Sequence, residues 1–66
     1  MNKYYRTDLI KQFRKENKLT IKRFCRMCKI SSYTYYKIIN QELDCKITNL
    51  FRVAQAMNLS MSELHY

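Results

Sequence analysis

The residues best suited to chemistry are three cysteines and one histidine, and two of the cysteines stand at C-x-x-C spacing. Cys25 and Cys28 could hold a metal or form a redox pair. A structural zinc site needs four ligands, and Cys45 and His65 would have to complete it without a second closely spaced pair. A redox C-x-x-C normally opens a helix within a strand–helix–strand unit, which this sequence does not predict. We therefore expect Cys25 and Cys28 to be small buried residues, and we expect no metal and no cofactor.

The sequence also offers few side chains for other kinds of catalysis. Five carboxylates are scattered along the chain, and the single histidine is next to the last residue. Sixty-six residues make one small domain, whose core would seldom contribute more than about 3–5 kcal/mol without disulfides, metal or oligomerisation. An enclosed site that excludes water is hard to build at this size. We expect a binding protein rather than an enzyme, with no small-molecule substrate.

The charge pattern points to a polyanionic partner. The net charge is +8, and residues 1–40 carry eleven basic and two acidic residues, a net charge of +9. Residues 41–66 carry two basic and three acidic residues, a net charge of −1. Clustered Lys and Arg gain affinity for nucleic acid by releasing counterions from its phosphates. We expect the first 40 residues to hold the binding surface and the remainder to act mainly as scaffold.

Membrane and secretory classes are not supported by the sequence. No segment approaches the roughly 18 apolar residues of a membrane span, and the first residues, MNKYYRTDLIKQF, lack the apolar run of a signal peptide. An odd number of cysteines does not suggest a disulfide framework. A basic amphipathic chain could lie on a membrane surface, but its apolar faces are needed for mutual packing. We expect a reduced, cytoplasmic protein.

The elements that position these residues are predicted to be helices. The chain has no Gly and no Pro, so Asn, Lys, Ser and Asp must form its turns. Apolar spacing predicts a first helix over residues 8–17 behind Thr7 or Asp8 as cap, and a second that begins at Thr20. Asn58 is a plausible left-handed residue after the fourth helix, and Ser60-Met61-Ser62-Glu63 fits a capping box. The fourth helix is predicted to pack through Ile47, Leu50, Phe51, Val53, Ala54 and Met57.

The stretch SSYTYYKIIN, residues 31–40, has the composition of a strand but the spacing of a helix. Tyr35, Ile38 and Ile39 share one apolar stripe, and the outward positions are 33, 36, 37 and 40. A strand would need a pairing partner, and none is predicted. The sequence therefore predicts an all-α fold, a compact bundle of about five short helices.

Basic residues interleaved with six tyrosines could also form a platform for stacking single-stranded nucleic acid. Such platforms usually lie on sheets, and Phe13, Phe24, Tyr35 and Phe51 are predicted to face the core. Tyr33 and Tyr36 differ, because the helix points them outward beside Lys37. RNA binding is disfavoured for the same lack of a sheet.

From Leu9 to Leu64 the chain resembles the Cro and phage-repressor (XRE-type) helix-turn-helix domains. The segments LTIKRFCRMCKISSYTYYKIIN and ITNLFRVAQAMNLSMSEL carry the resemblance. It implies a lambda-repressor-like domain over residues 1–66, with a helix-turn-helix unit at about 20–40. Residues 20–28 would form the second helix and residues 29–31 the turn, followed by a recognition helix over residues 32–40 that docks in the DNA major groove.

The resemblance also assigns roles to individual positions. Cys25 takes the place of a usual alanine, where a small residue lets the second and third helices approach. The base-facing positions are Ser32, Tyr33, Tyr36 and Lys37, where Lys37 could reach guanine O6 and N7. The phosphate-contacting positions are Thr20, Ile21, Arg23 and Asn40.

Four positions depart from the family pattern. Ile21 replaces a commonly polar residue. Lys29 replaces the glycine of the turn, so it must either tolerate a left-handed conformation or form a different turn. Arg14 matches a basic position that in many relatives pairs with a glutamate on the recognition helix, but Ile39 occupies the glutamate position here. The loop after the recognition helix carries Glu42 and Asp44 where relatives often have basic residues.

Together these observations predict a small stand-alone transcription regulator of phage, mobile-element or bacterial type. We expect it to bind a two-fold symmetric DNA operator as a homodimer, with Tyr4, Tyr5, Leu64, His65 and Tyr66 as possible dimer residues. The alternative is a protein-interaction module on the same scaffold, such as an antitoxin-like or anti-repressor partner, since a fold does not fix a function.

Overall fold

The computed structural model describes residues 3–66, so the first two residues of the predicted domain lie outside the described part of the chain. Within residues 3–66 the fold is all-α, as predicted, with five helices and no strand. The helices are α1 (Thr7–Glu16), α2 (Ile21–Cys28), α3 (Ser32–Ile39), α4 (Ile47–Ala56) and α5 (Met61–Leu64). They pack around one core, with α2 against both α3 and α4, and α4 against α5.

Side-chain caps fix where three of the helices begin. Thr20 Oγ1 accepts from the Arg23 amide at 3.1 Å before α2, and Ser31 Oγ accepts from the Thr34 amide at 3.1 Å before α3. Ser60 and Glu63 form the predicted capping box at α5. These caps satisfy amide groups that have no partner inside the helix.

The predicted cap of the first helix is wrong. The residue before α1 is Arg6, and it makes no side-chain capping bond. Asp8 lies in the first turn, and both of its carboxylate oxygens accept from the Arg6 guanidinium, at 3.1 and 2.9 Å. Asp8 therefore pairs with Arg6 instead of capping the helix. α1 runs from Thr7 to Glu16, one residue earlier at each end than predicted.

After each of the four longer helices, a residue other than glycine adopts the left-handed backbone conformation that usually favours glycine. Lys18, Lys29, Gln41 and Asn58 have φ of 52°, 60°, 62° and 59°. The left-handed conformation costs a residue with a Cβ roughly 1–2 kcal/mol, so packing and hydrogen bonds must hold it. At Lys29 the Arg52 guanidinium of α4 donates to the carbonyl at 3.2 Å. Of the two alternatives for Lys29, the left-handed conformation is the one observed, and the predicted left-handed conformation of Asn58 is confirmed.

The core confirms most of the predicted inward faces but not all of α4. Leu50, Val53, Ala54 and Met57 are buried, and they complete an apolar stripe at i, i+3, i+4 and i+7. Phe51 points about a quarter of a turn away and is 52% exposed, and Ile47 in the first turn is 74% exposed. Their assignment to the core was wrong, because nothing in the described part of the chain covers that side of α4.

The segment before α1 is fastened to the other end of the chain and to the loop after α3. Tyr5 is buried and forms an isolated antiparallel bridge with His65. Gln41 Oε1 accepts from the amides of Tyr4 and Tyr5, both at 2.8 Å, and its Nε2 donates to the Tyr5 carbonyl at 3.0 Å. These bonds attach the start of the loop after α3 to the segment before α1.

Candidate nucleic acid interface

Helix α3 has one buried face and one presented face. Tyr35 and Ile38 are buried, and the Tyr35 ring packs edge-on against Phe24 with centroids 5.8 Å apart. On the opposite side Tyr33 is 72% and Tyr36 49% exposed, and Ser32 is exposed beside them. One face of α3 is therefore packed against the core. The opposite face, here called the front, is accessible, as the periodicity predicted.

Lys37, the fourth predicted base-facing residue, is not free in this structure. Its Nζ lies 2.6 Å from Asp44 Oδ2 and 5.5 Å from the centroid of the Tyr33 ring. The side chain is only 16% exposed, whereas that of Asp44 is 71% exposed. The hydrogen bond from Lys37 lowers the pKa of the Asp44 carboxyl, and the same bond raises the pKa of the Lys37 ammonium.

The predicted phosphate-contacting positions lie around α2 and at the end of α3. Thr20 and Arg23 are exposed at the start of α2, whereas Ile21 is partly buried and packs against the core. Asn40 is exposed just after α3, where its amide donates to the Tyr36 carbonyl at 2.9 Å. The recognition helix itself ends at Ile39, so Asn40 is its C-terminal cap rather than its last helical residue.

Two basic residues of α2 that were not singled out from the sequence lie next to the front of α3. A groove between the two helices places Lys22 and Arg26 around Ser32 and Tyr36. Lys22 and Arg26 are four residues apart and so share one face of α2. This i, i+4 spacing was the available signal, but only the packing of α2 on α3 shows that the face borders Tyr36.

A second basic groove opens beside the N-terminus of α2. It contains cations from the end of α1 and from the loop that follows, and it reaches Thr20. Amide groups and the helix dipole favour an anion at such a helix start. The lining residues are Lys11, Arg14, Lys15, Lys18, Leu19 and Thr20.

Arg14 finds a partner other than the missing glutamate. Its Nη1 donates to the Tyr35 hydroxyl at 3.1 Å, and its guanidinium carbon lies 5.8 Å from the centre of the same ring. Burial raises the pKa of the Tyr35 phenol, an effect that the nearby Arg14 charge opposes. Arg14 thus contacts a buried side chain of α3 and helps to hold that helix against the core.

The C-x-x-C pair is part of the core. Cys25 and Cys28 are 5% and 2% exposed, and burial raises the pKa of the Cys28 thiol to about 12. Among residues 3–66 no group of three or more His, Cys, Asp or Glu side chains is arranged to hold a metal ion. Cys25 lines the base of the α2–α3 groove, where a small side chain lets the two helices approach.

Helices α2 and α3, joined by a short turn that contains the left-handed Lys29, form a helix-turn-helix unit. A model of the helix-turn-helix family HTH_3 matches residues 10–64. The chain belongs to this XRE-type, Cro and repressor-like family, whose members are DNA-binding transcription regulators. No curated protein and no solved structure matched the chain. No helix within residues 3–66 is long and apolar enough to cross a membrane.

Proposed function

We propose that this chain is a sequence-specific regulator that places α3 in the major groove of double-stranded DNA, with residues 1–66 acting as a single DNA-binding domain. The proposal rests mainly on one observation. The exposed front of α3 (Ser32, Tyr33 and Tyr36) stands beside the cations of α2, while its back is locked into the core. A helix held in this way fits the major groove. The proposed regulator is of phage, mobile-element or bacterial type.

The side chains divide by the part of DNA that they would reach. Ser32, Tyr33, Tyr36 and Lys37 would face base edges, where a Tyr ring can pack on a thymine methyl and Lys37 can reach a guanine. Thr20, Ile21, Arg23 and Asn40 would lie along the phosphates, with Ile21 contributing only its backbone amide at the helix start. Lys22 and Arg26 extend the phosphate-facing surface beside Tyr36.

Binding should weaken steeply as salt rises. If Lys22, Arg23 and Arg26 each neutralise one phosphate, the slope of log K against log salt would be about −2.7, and a fourfold rise in salt would lower affinity roughly 40-fold. Selection from a random DNA pool would supply the site, and fluorescence anisotropy at several salt concentrations would measure the slope. Binding that does not change with salt would contradict the proposal.

We also propose that the regulator binds as a homodimer through an exposed apolar patch made of Ile47 and Phe51 on α4. These two residues are one helical turn apart, are 74% and 52% exposed and line the same shallow groove. Two copies that each carry a charge of +8 repel one another, and this repulsion is weakest through residues 41–66, whose net charge is −1. Two of the dimer residues considered from the sequence, Tyr5 and Leu64, are buried at 3% and 0% exposure and are not available.

The size of the patch predicts a weak dimer. Two partly exposed side chains offer on the order of 200 Å², well below the roughly 800 Å² that each partner buries in a standard interface. Association should therefore be slight in free solution and become evident on DNA with two half-sites, where the first bound copy raises the effective concentration of the second.

Phe51→Ser should abolish cooperative binding to a two-half-site DNA and leave binding to a single half-site unchanged. The reason is that the substitution removes the largest apolar side chain of the patch without touching α2 or α3. Mobility-shift titrations on DNA with one and two half-sites would measure both quantities. Tyr66→Ser alters a similarly exposed aromatic outside the patch; Tyr66 was also a candidate dimer residue, so retained cooperativity in this variant is the result expected of the matched control. Undiminished cooperativity in Phe51→Ser would place the dimer contact elsewhere.

A further inference from the structure

The loop after α3 places the Asp44 carboxylate next to Lys37, the only cationic residue of that helix. Lys37 Nζ is 2.6 Å from Asp44 Oδ2, and the Tyr33 ring lies on its other side at 5.5 Å. A cleft lined in part by Tyr33, Lys37, Asp44 and Lys46 marks the place where loop and helix meet. The ammonium is thus folded back against its own protein and is less exposed than either exposed tyrosine of α3.

This arrangement is held by the loop's backbone and not only by the ion pair. The Glu42 amide donates to the Lys37 carbonyl at 3.0 Å. The Glu42 carbonyl in turn accepts from the Tyr5 hydroxyl at 2.9 Å and from Cys45 Sγ at 3.2 Å. Since Tyr5 is itself buried, Asp44 follows a fixed segment, and its carboxylate is kept within reach of α3.

We propose that Asp44 is a specificity-determining residue that competes with DNA for the Lys37 ammonium. This inference rests on the proposed function and concerns the same surface. In free protein and on unrelated DNA, Lys37 stays on Asp44 and Tyr33, so one cation of the interface does not neutralise a phosphate. At the preferred site a base-edge acceptor in the groove draws Lys37 away from the carboxylate.

The small free energy of the Lys37–Asp44 ion pair suits a role in distinguishing the preferred DNA sequence from unrelated ones. The Lys37–Asp44 ion pair lies at the surface, with the Asp44 side chain 71% exposed. A surface ion pair contributes little, because both groups can be hydrated once they separate. A well-placed acceptor on a guanine can therefore displace Asp44, while a phosphate on unrelated DNA also meets the negative charge of Asp44 itself. Asp44 would lower affinity for unrelated sequences more than affinity for the preferred one, which raises the ratio between them.

Asp44→Asn tests the inference, with Glu42→Gln as a matched control that removes the same charge two residues away. Asp44→Asn should raise affinity for unrelated DNA about three- to fivefold, the equivalent of losing one exposed ion pair. It should also steepen the salt slope on that DNA by about 0.9, because one more phosphate is neutralised. At the preferred site the slope should stay the same, and Glu42→Gln should change neither slope.

The dependence on Lys37 separates competition from a general charge effect. In a Lys37→Met background, Asp44→Asn should act no more strongly than Glu42→Gln. Anisotropy titrations of the wild type, the three single variants and the two double variants on preferred and random DNA give all the required values. Equal effects of Asp44→Asn and Glu42→Gln in a chain that binds DNA would overturn the competitor role alone. Failure of the wild type to bind any DNA would overturn the proposed function together with it.

Discussion

Phe24→Ala is expected to unfold the domain or to leave it barely stable. Phe24 is fully buried, and its ring packs edge-on against Phe13 at 6.1 Å and Tyr35 at 5.8 Å between centroids. Truncation of a buried phenylalanine to alanine typically costs about 3–5 kcal/mol, close to what a core of this size supplies in total. The loss would also release Tyr35, and with it the buried face of the recognition helix.

Phe51→Ala provides the comparison for this stability prediction. It is the same substitution at a residue that the sequence also placed in the core, but Phe51 is 52% exposed. We expect a change within about 1 kcal/mol, since surface substitutions have small effects and alanine is the better helix former. Urea unfolding followed by circular dichroism, at protein concentrations too low for self-association, would measure both. Similar losses for the two variants would mean that Phe51 is covered in solution.

Lys37→Met is expected to lower affinity for the preferred site roughly 5- to 150-fold and to relax sequence choice at one base pair. This range corresponds to the loss of one good base-edge contact. Methionine retains much of the apolar stem of lysine, so the fold should be little affected. Anisotropy titrations on the selected site and on single-base variants of it would give the change in affinity and in discrimination.

Arg23→Met is the control for the base-reading role of Lys37. Arg23 is exposed on α2, where the proposal assigns it to a phosphate. Its loss should weaken binding to selected and random DNA alike and should reduce the salt slope by about 0.9. If Lys37→Met lost affinity equally on both kinds of DNA, Lys37 would belong with Arg23 among the phosphate contacts.

The two-sided character of α3 could be predicted from the sequence because it depends on spacing alone. The i, i+3 and i+4 positions of Tyr35, Ile38 and Ile39 fix one direction, and Tyr33 and Tyr36 must then point away. The starts of α2 and α5 were predictable to within one residue, because Thr20 and Ser60 offer side-chain caps. The cap of the first helix was misjudged, because the Asp8 carboxylate is engaged by Arg6.

Contacts across the chain could not be predicted in this way. The spacing of α4 admits Phe51 and Ile47 into its apolar face, but the stripe from Leu50 to Met57 already fills the available core. Which side of a helix is covered depends on the neighbours that pack against it, and those neighbours are distant in sequence. The sequence showed Asp44 as an acidic residue in a loop where relatives often have basic residues, but it did not show that the loop places Asp44 against Lys37.

The sequence by itself determined that this protein is an all-helical domain of the helix-turn-helix family with a basic first part. Helical periodicity, capping residues and charge are local properties that survive any arrangement of the helices. The tertiary structure decided which cations border Tyr36, where an apolar patch stays open, and that Lys37 is paired rather than free. Those outcomes depend on the approach of segments separated along the chain, and here left-handed turns at Lys29 and Gln41 set that approach.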